Sequence, residues 1–245
     1  MTIPPFVGGR PAGESVTTID AAKTFLVLKA RAVLCLGLIQ AFFRDKKRPG
    51  KSPGRRHYKR KEISPCRIHI KSFVGVRDAD ILGVFDPDMK RAREACALAR
   101  SVGVGEAKPY ASITAMAADP AIGALWICAP NFTRLEVMEE IAHAVLSGKA
   151  ELRGVTCEKP LGRNAKEARR MLALVQKAGI LDGYLENQVF SPAVTRGKEI
   201  LWARGAAIAG PPYLARAAEE HSGPHMPWFW EGTLQGGGVL NDMMC

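Results

Sequence analysis

"ILGVFDPDMKRAREACALARSVG", residues 81–103, is the stretch whose reading decides the fold. Ile81 to Phe85 is an unbroken apolar run, the mark of a short strand buried on both faces, and it ends abruptly in Asp86-Pro87. From Asp88 to Val102 the period changes. Ala92, Ala95, Cys96 and Ala99 recur at three- and four-residue spacing, which is one face of a helix. Such a change of period within a few residues is a strand, a turn and a helix, with an acid left at the carboxyl end of the strand.

The same unit repeats downstream. Ala124 to Ala129 is a second buried strand, closed by Pro130-Asn131, and the helix after it carries Leu135, Met138, Ile141, Ala142 and Val145 on one stripe before stopping at Gly148. Leu152 to Cys157 is a third strand, ending in Glu158-Lys159-Pro160. Asn164 is placed to cap a helix with Ala168, Met171, Leu172 and Val175 on its apolar face, and Gly179 to end it. A fourth strand, Leu181 to Val189, precedes a helix over about Pro192 to Ala203. Strands alternating with helices of this length predict βαβ units: an α/β fold with a Rossmann-like parallel sheet and helices on both faces. Ligands of such sheets lie beyond the carboxyl ends of the strands. Those ends carry Asp86, Pro130-Asn131, Glu158-Lys159 and Glu186-Asn187.

Charge divides the chain unevenly. The net charge is +11, yet residues 1–77 hold 17 Lys/Arg against 4 Asp/Glu, and the remainder holds 18 against 20. The basic stretch "KKRPGKSPGRRHYKRK" has almost no apolar side chains to offset the entropy of ordering. Residues 1–65 are therefore expected to be a basic segment, disordered or mistranslated, outside the folded unit. The longest apolar run there, Ala32 to Phe43, is shorter than the roughly 20 residues that span a bilayer, and no small-residue cleavage site follows it. Six cysteines without paired spacing point to a reducing, cytoplasmic setting. After Gly210 the pattern becomes aromatic and proline-rich, then "LQGGGVLNDMMC"; residues 66–209 are thus expected to be one domain and 210–245 the start of another.

Four stretches, "ILGVFDPD", "ALWICAPN", "CEKPLG" and "GGGVLNDMM", in this order and at these separations, resemble the glucose–fructose oxidoreductase and inositol dehydrogenase family (Gfo/Idh/MocA). The resemblance covers roughly residues 67–245. It implies an NAD(P)-binding Rossmann domain followed by an α/β substrate domain, and an oxidoreductase that moves a hydride between the cofactor and a sugar, cyclitol or related polyol. It further implies a homo-oligomer with a small-molecule substrate and no membrane. By resemblance Asp86 would bind the adenosine ribose, where a carboxylate favours NAD over NADP. Ala129, Pro130 and Asn131 would line the cofactor, Glu158 would meet the nicotinamide ribose, and Asn187 would lie near the ring or substrate. Lys159 would be the catalytic lysine, its ammonium stabilising negative charge on the substrate oxygen. Asp242 matches the acid of the family's Gly-Gly-Gly helix, whose histidine base would fall at position 246.

The pattern also fails in places. A glycine fingerprint is expected about 20 residues before the ribose acid, but "RKEISPC" stands there and no glycine occurs between Gly54 and Gly75. The first strand and its glycine loop are therefore expected to be lost, the substrate domain truncated, and the chain an inactive fragment, incomplete at both ends. The competing reading is a non-catalytic scaffold whose basic arm binds nucleic acid. That arm lacks interleaved aromatics beyond Tyr58 and any nucleic-acid module, so nucleic acid is not the expected partner. His221 and His225, with Glu219 and Glu220 nearby, have the spacing of a metal pair, but Pro224 and Pro227 break the helix that would align them, and no metal is expected. Trp228, Phe229 and Trp230 form an aromatic wall suited equally to a sugar face and to domain packing.

Overall fold

The alternating apolar runs fold as their periods require. A computed structural model describes residues 33–36, 65–218 and 226–243. Among them are strands β1 (Val33–Leu36), β2 (Ile81–Phe85), β3 (Lys108–Pro109), β4 (Ala124–Ile127), β5 (Gly154–Glu158) and β6 (Leu181–Leu185), all paired in parallel in the order β3-β2-β1-β4-β5-β6. The helices between them are α1 (Pro65–Ser72), α2 (Met89–Ser101), α3 (Ile113–Ala117), α4 (Asn131–Leu146), α5 (Ala165–Ala178) and α6 (Pro192–Glu199). This is the doubly wound order, whose direction of travel reverses at β1 and opens a crevice over the carboxyl ends there.

One expectation is overturned. The first strand is present: Val33–Leu36 sits at the middle of the sheet, with Leu34 opposite Gly83 on one side and Leu125 on the other. No glycine fingerprint stands about 20 residues before Asp86 to mark such a strand. Its residues were instead absorbed into the run Ala32 to Phe43. An all-apolar tetrapeptide, Val-Leu-Cys-Leu, suits a central parallel strand, which is covered on both faces. A boundary at residue 65 thus cuts through the sheet. The rest of residues 1–64, with its expected disorder, lies outside the described residues.

Strand alternation divides the interior into two cores. On β4, Leu125 and Ile127 enter one core with Met138 and Ile141 of α4, Val155 and Cys157 of β5, and Met171 and Val175 of α5. Trp126 and Cys128 face the other, with Cys66, Ile70 and Phe73 of α1 and its extension and Ala92, Ala95, Cys96 and Ala99 of α2. Small residues on α2 let that helix lie close to the sheet. Gly83 stands inside β2 where a Cβ would collide with the Tyr110 ring, which packs over that strand.

The helix ends match the sequence reading closely. Asp88 caps α2 by accepting the Lys90 N–H, and Asn164 caps α5 by accepting the Glu167 N–H at 3.0 Å, while Gly179 closes α5 at φ 67°. Two short elements, β3 and α3, were not foreseen; each has five or fewer residues, too few to show a period. Beyond α6 the backbone continues in wider turns through Ile200–Gly205 into α7 (Ala206–Ala209), and the chain after residue 225 adds α8 (Gly232–Gln235) and α9 (Val239–Asp242). No helix among the described residues is long and apolar enough to cross a membrane.

Candidate active site at the carboxyl edge of the sheet

Because all strands run the same way, the residue following each strand arrives at one edge. Asp86 follows β2, Asn131 opens α4 just past β4, and Lys159 follows β5. Asp86 is buried, and its Oδ1 accepts the Asp88 N–H at 2.8 Å. Arg91 approaches it at 3.8 Å and Asp88 at 3.4 Å, so the guanidinium faces the two carboxylates. Ala129 and Asn131 are buried at the β4–α4 corner beside the half-buried Pro130. The amino end of α4, with its unsatisfied N–H groups, also points to this edge.

Lys159 is a partly exposed cation held at the edge by two contacts to a single residue. Its Nζ donates to the Asp242 main-chain oxygen at 2.5 Å and to Asp242 Oδ1 at 3.1 Å. Two residues 83 positions apart in sequence are thereby joined, and the Gly-rich segment is brought onto the sheet edge. Glu158 is engaged at both oxygens: Oε2 accepts the Lys159 N–H at 2.9 Å, and Oε1 accepts from His69 Nε2 on α1 at 2.7 Å. With a carboxylate as partner, that ring nitrogen is the donor. Cys157 lies next in the strand but is no nucleophile, because burial pushes its thiol up to about 12.

Residues 65–182 match the Gfo/Idh/MocA family model, described as an oxidoreductase family with an NAD-binding Rossmann fold. The likeness to the Gfo/Idh/MocA family is that of this segment, just under half of the chain. The 1,5-anhydro-D-fructose reductase of Ensifer adhaerens is 29% identical over 154 residues, which are 62% of this chain and 43% of that protein. Among solved structures, the NAD-binding protein from Listeria innocua aligns with TM-score 0.60 at 17% identity, covering 87% of this chain and 51% of that one. The myo-inositol dehydrogenase from Lactobacillus casei, solved in complex with NAD(H) and myo-inositol, aligns with TM-score 0.53 at 18% identity, covering 75% and 43%. The chain spans about half the length of these proteins, or less.

The predicted site residues are not all gathered equally. Asp86, Ala129, Pro130, Asn131, Glu158, Lys159 and Asp242 lie along the edge, Lys159 and Asp242 in direct contact. Asn187 is one strand further out, exposed in the turn Asn187–Phe190 after β6. Glu219, Glu220, His221 and His225 lie outside the described residues, as does the position sought for the glycine loop before Pro65. Trp228 stacks on Phe229 with ring centroids 4.0 Å apart and meets Phe132 of α4 edge-on at 5.3 Å, contacts of packing.

Three residues escaped the sequence reading. Buried Arg134 donates from Nε to the Ala129 oxygen at 2.7 Å, and from its terminal nitrogen to the oxygens of Glu158 (2.6 Å) and Pro160. It ties the ends of β4 and β5 together. The signal was available: Arg134 stands four residues before Met138 and seven before Ile141, a charge inside an apolar stripe. His69 stands likewise between Cys66 and Phe73 on the inner side of α1. Gln235, 2% exposed, gave no signal, since a polar residue before three glycines reads as loop. A cavity of about 210 Å³ opens beside Lys159, lined by Pro160, Leu161, Gly162, Asn164, Tyr184 and Asn241 among others.

Proposed function

We propose that the carboxyl edge binds a nicotinamide dinucleotide and that Lys159 assists hydride transfer to or from the hydroxyl-bearing carbon of a sugar, cyclitol or related polyol. The observation that carries this reading is the Lys159–Asp242 pair, an ammonium aimed by a carboxylate at a sheet edge that also holds a buried acid after β2. The residues fit such a cofactor. Asp86 suits a ribose diol, the amino end of α4 suits anionic groups, and Asn131 Oδ1 is buried without a hydrogen-bond partner among the described residues, an acceptor that a ligand donor can meet. Arg91 is turned onto Asp86 and Asp88 rather than toward a 2′-phosphate, which favours NAD over NADP.

A nicotinamide, when bound, supplies or accepts the hydride. Lys159 donates a hydrogen bond to the substrate oxygen and stabilises the negative charge that develops there. Asp242 orients the ammonium. Glu158 fixes the Lys159 backbone through Oε2 and meets His69 through Oε1, and each carboxylate oxygen has a second lone pair with which to accept from a ribose hydroxyl. Buried Cys157 and Ala129 keep the floor of the site apolar and dry.

Titration with NADH, followed by its fluorescence, tests the binding half. Saturable binding is expected below about 1 mM, tighter than for NADPH, and weakened about tenfold by Asp86→Ala through loss of charge-assisted hydrogen bonds. Lys159→Ala should leave NADH affinity nearly unchanged while lowering hydride transfer from any polyol that supports turnover by about 10²- to 10⁴-fold. Absence of saturable NADH binding rejects the cofactor assignment, and full activity in Lys159→Ala rejects the catalytic one.

A further inference from the structure

Little apolar burial holds Asp242 against the sheet. Val239 and Leu240 of its own helix are exposed. The connections are polar: Arg163 donates to the Thr233 oxygen at 2.9 Å and Asn241 Nδ2 approaches the Gly162 oxygen at 3.4 Å, and the largest group of them meets at Gln235, which is buried in a stretch that is otherwise largely open. The Gln235 amide folds the following turn from inside: Oε1 accepts the N–H groups of Gly237 (2.9 Å) and Gly238, and Nε2 donates to the Gly238 oxygen at 2.9 Å. The Gln235 main-chain oxygen accepts two asparagine amides, Asn131 Nδ2 at 2.8 Å and Asn241 Nδ2 at 2.7 Å. One of these donors belongs to the β4–α4 corner and the other to the helix that carries Asp242. Gly236, at φ +97°, passes so close to Arg163 that a Cβ would collide with its carbonyl oxygen. The turn thus presses on the loop that follows Lys159.

We propose that Gln235 is the positioning residue of the Lys159–Asp242 pair: it shapes the Gly236–Gly238 turn, pins it to Asn131, and so delivers Asp242 to the ammonium. The inference rests on the reading of Lys159 as the catalytic lysine. Side-chain chemistry accounts for the choice of glutamine. Glutamate keeps the acceptor for the two glycine N–H groups but has no donor for the Gly238 oxygen. Methionine fills a similar volume and makes none of the three side-chain bonds, keeping only the main-chain oxygen that Asn131 and Asn241 meet. A lysine whose carboxylate partner is displaced regains the freedom of its four-carbon stem.

Trace acetylation with acetic anhydride, read peptide by peptide by mass spectrometry, reports how tightly each lysine is held. In the full chain, Gln235→Met is expected to raise the Lys159 rate at least about tenfold, the loss of more than one net hydrogen bond. Exposed Lys149 and Lys177 should keep their rates, Asp242→Asn should mimic the effect, and Gln235→Glu should fall between. An unchanged Lys159 rate in Gln235→Met overturns the proposal. So does a parallel rise at Lys149 and Lys177, which would make Gln235 a prop for the whole fold. Failure of the wild type to bind NADH would sink the cofactor assignment and leave the labelling result standing.

Discussion

Asp119 shows how a single carboxylate fixes the far end of the sheet. Its Oδ2 accepts from Tyr110 Oη at 2.6 Å and from Lys108 Nζ at 2.9 Å, and its Oδ1 accepts the Ala121 N–H at 3.0 Å. The Tyr110 hydroxyl above all, then the Ala121 amide and Lys108, hold this carboxyl below its ordinary 3.8, at about 2. A folded-state value below the unfolded one means that the contribution is full above about pH 4 and is lost as pH falls toward 2. Asp119→Asn should therefore destabilise by about 1 kcal/mol at neutral pH, a typical cost for a partly exposed charge-assisted bond. The gap from wild type should close on acidification. Denaturant melts at several pH values decide it, and a gap independent of pH would remove Asp119 as its source. The same scale shows what the sequence discloses. Asp86, Asn131 and Lys159 were legible because each ends an apolar run, and a parallel sheet brings such ends to one edge. His69 shows in the sequence only as a polar residue on an apolar face; its pairing with Glu158, 89 positions away, is set by the packing of α1 against the sheet.

At the scale of elements, capping made α2 and α5 legible to within a residue, because a cap is a local transaction between one side chain and a backbone N–H two or three positions on. Asn164 is the clearest case, accepting from Glu167 while Glu167 in turn accepts from the Arg163 N–H at 2.8 Å and pairs with the Arg163 guanidinium. Asn164→Ala should cost about 1 kcal/mol, and Asn164→Asp should restore most of it, in equilibrium urea unfolding. Equal stability of Ala and Asn variants would mean that the α5 terminus is held by its packing alone. β1 was illegible for the opposite reason. Four apolar residues carry no period of their own. Their strand character is set by β2 and β4, which flank them in the sheet but lie far downstream in the chain.

At the scale of the whole molecule, burial is graded across the sheet. β4 and β5 contribute Leu125, Ile127, Val155 and Cys157 to a core sealed by α4 and α5, whereas Leu181 and Tyr184 on β6 are exposed. Past β6 none of the residues in α6 or α7 is buried, and Ile208 and Tyr213 are 89% and 98% exposed. Backbone hydrogen bonds in β6 and α6 therefore have little apolar cover to prevent local opening, while those of β4 open only with the whole unit. Native-state hydrogen exchange should resolve two tiers. Amides of residues 124–127 and 137–144 should exchange at the rate set by global unfolding, and those of residues 182–185 and 195–209 at least about tenfold faster. Denaturant should separate them further: sub-saturating urea should accelerate the first set steeply, because global opening exposes much surface, and the second set weakly. Equal protection and equal urea dependence across both sets would show that β6 and α6 belong to the same cooperative unit as the central strands, and that the grading of burial has no energetic counterpart.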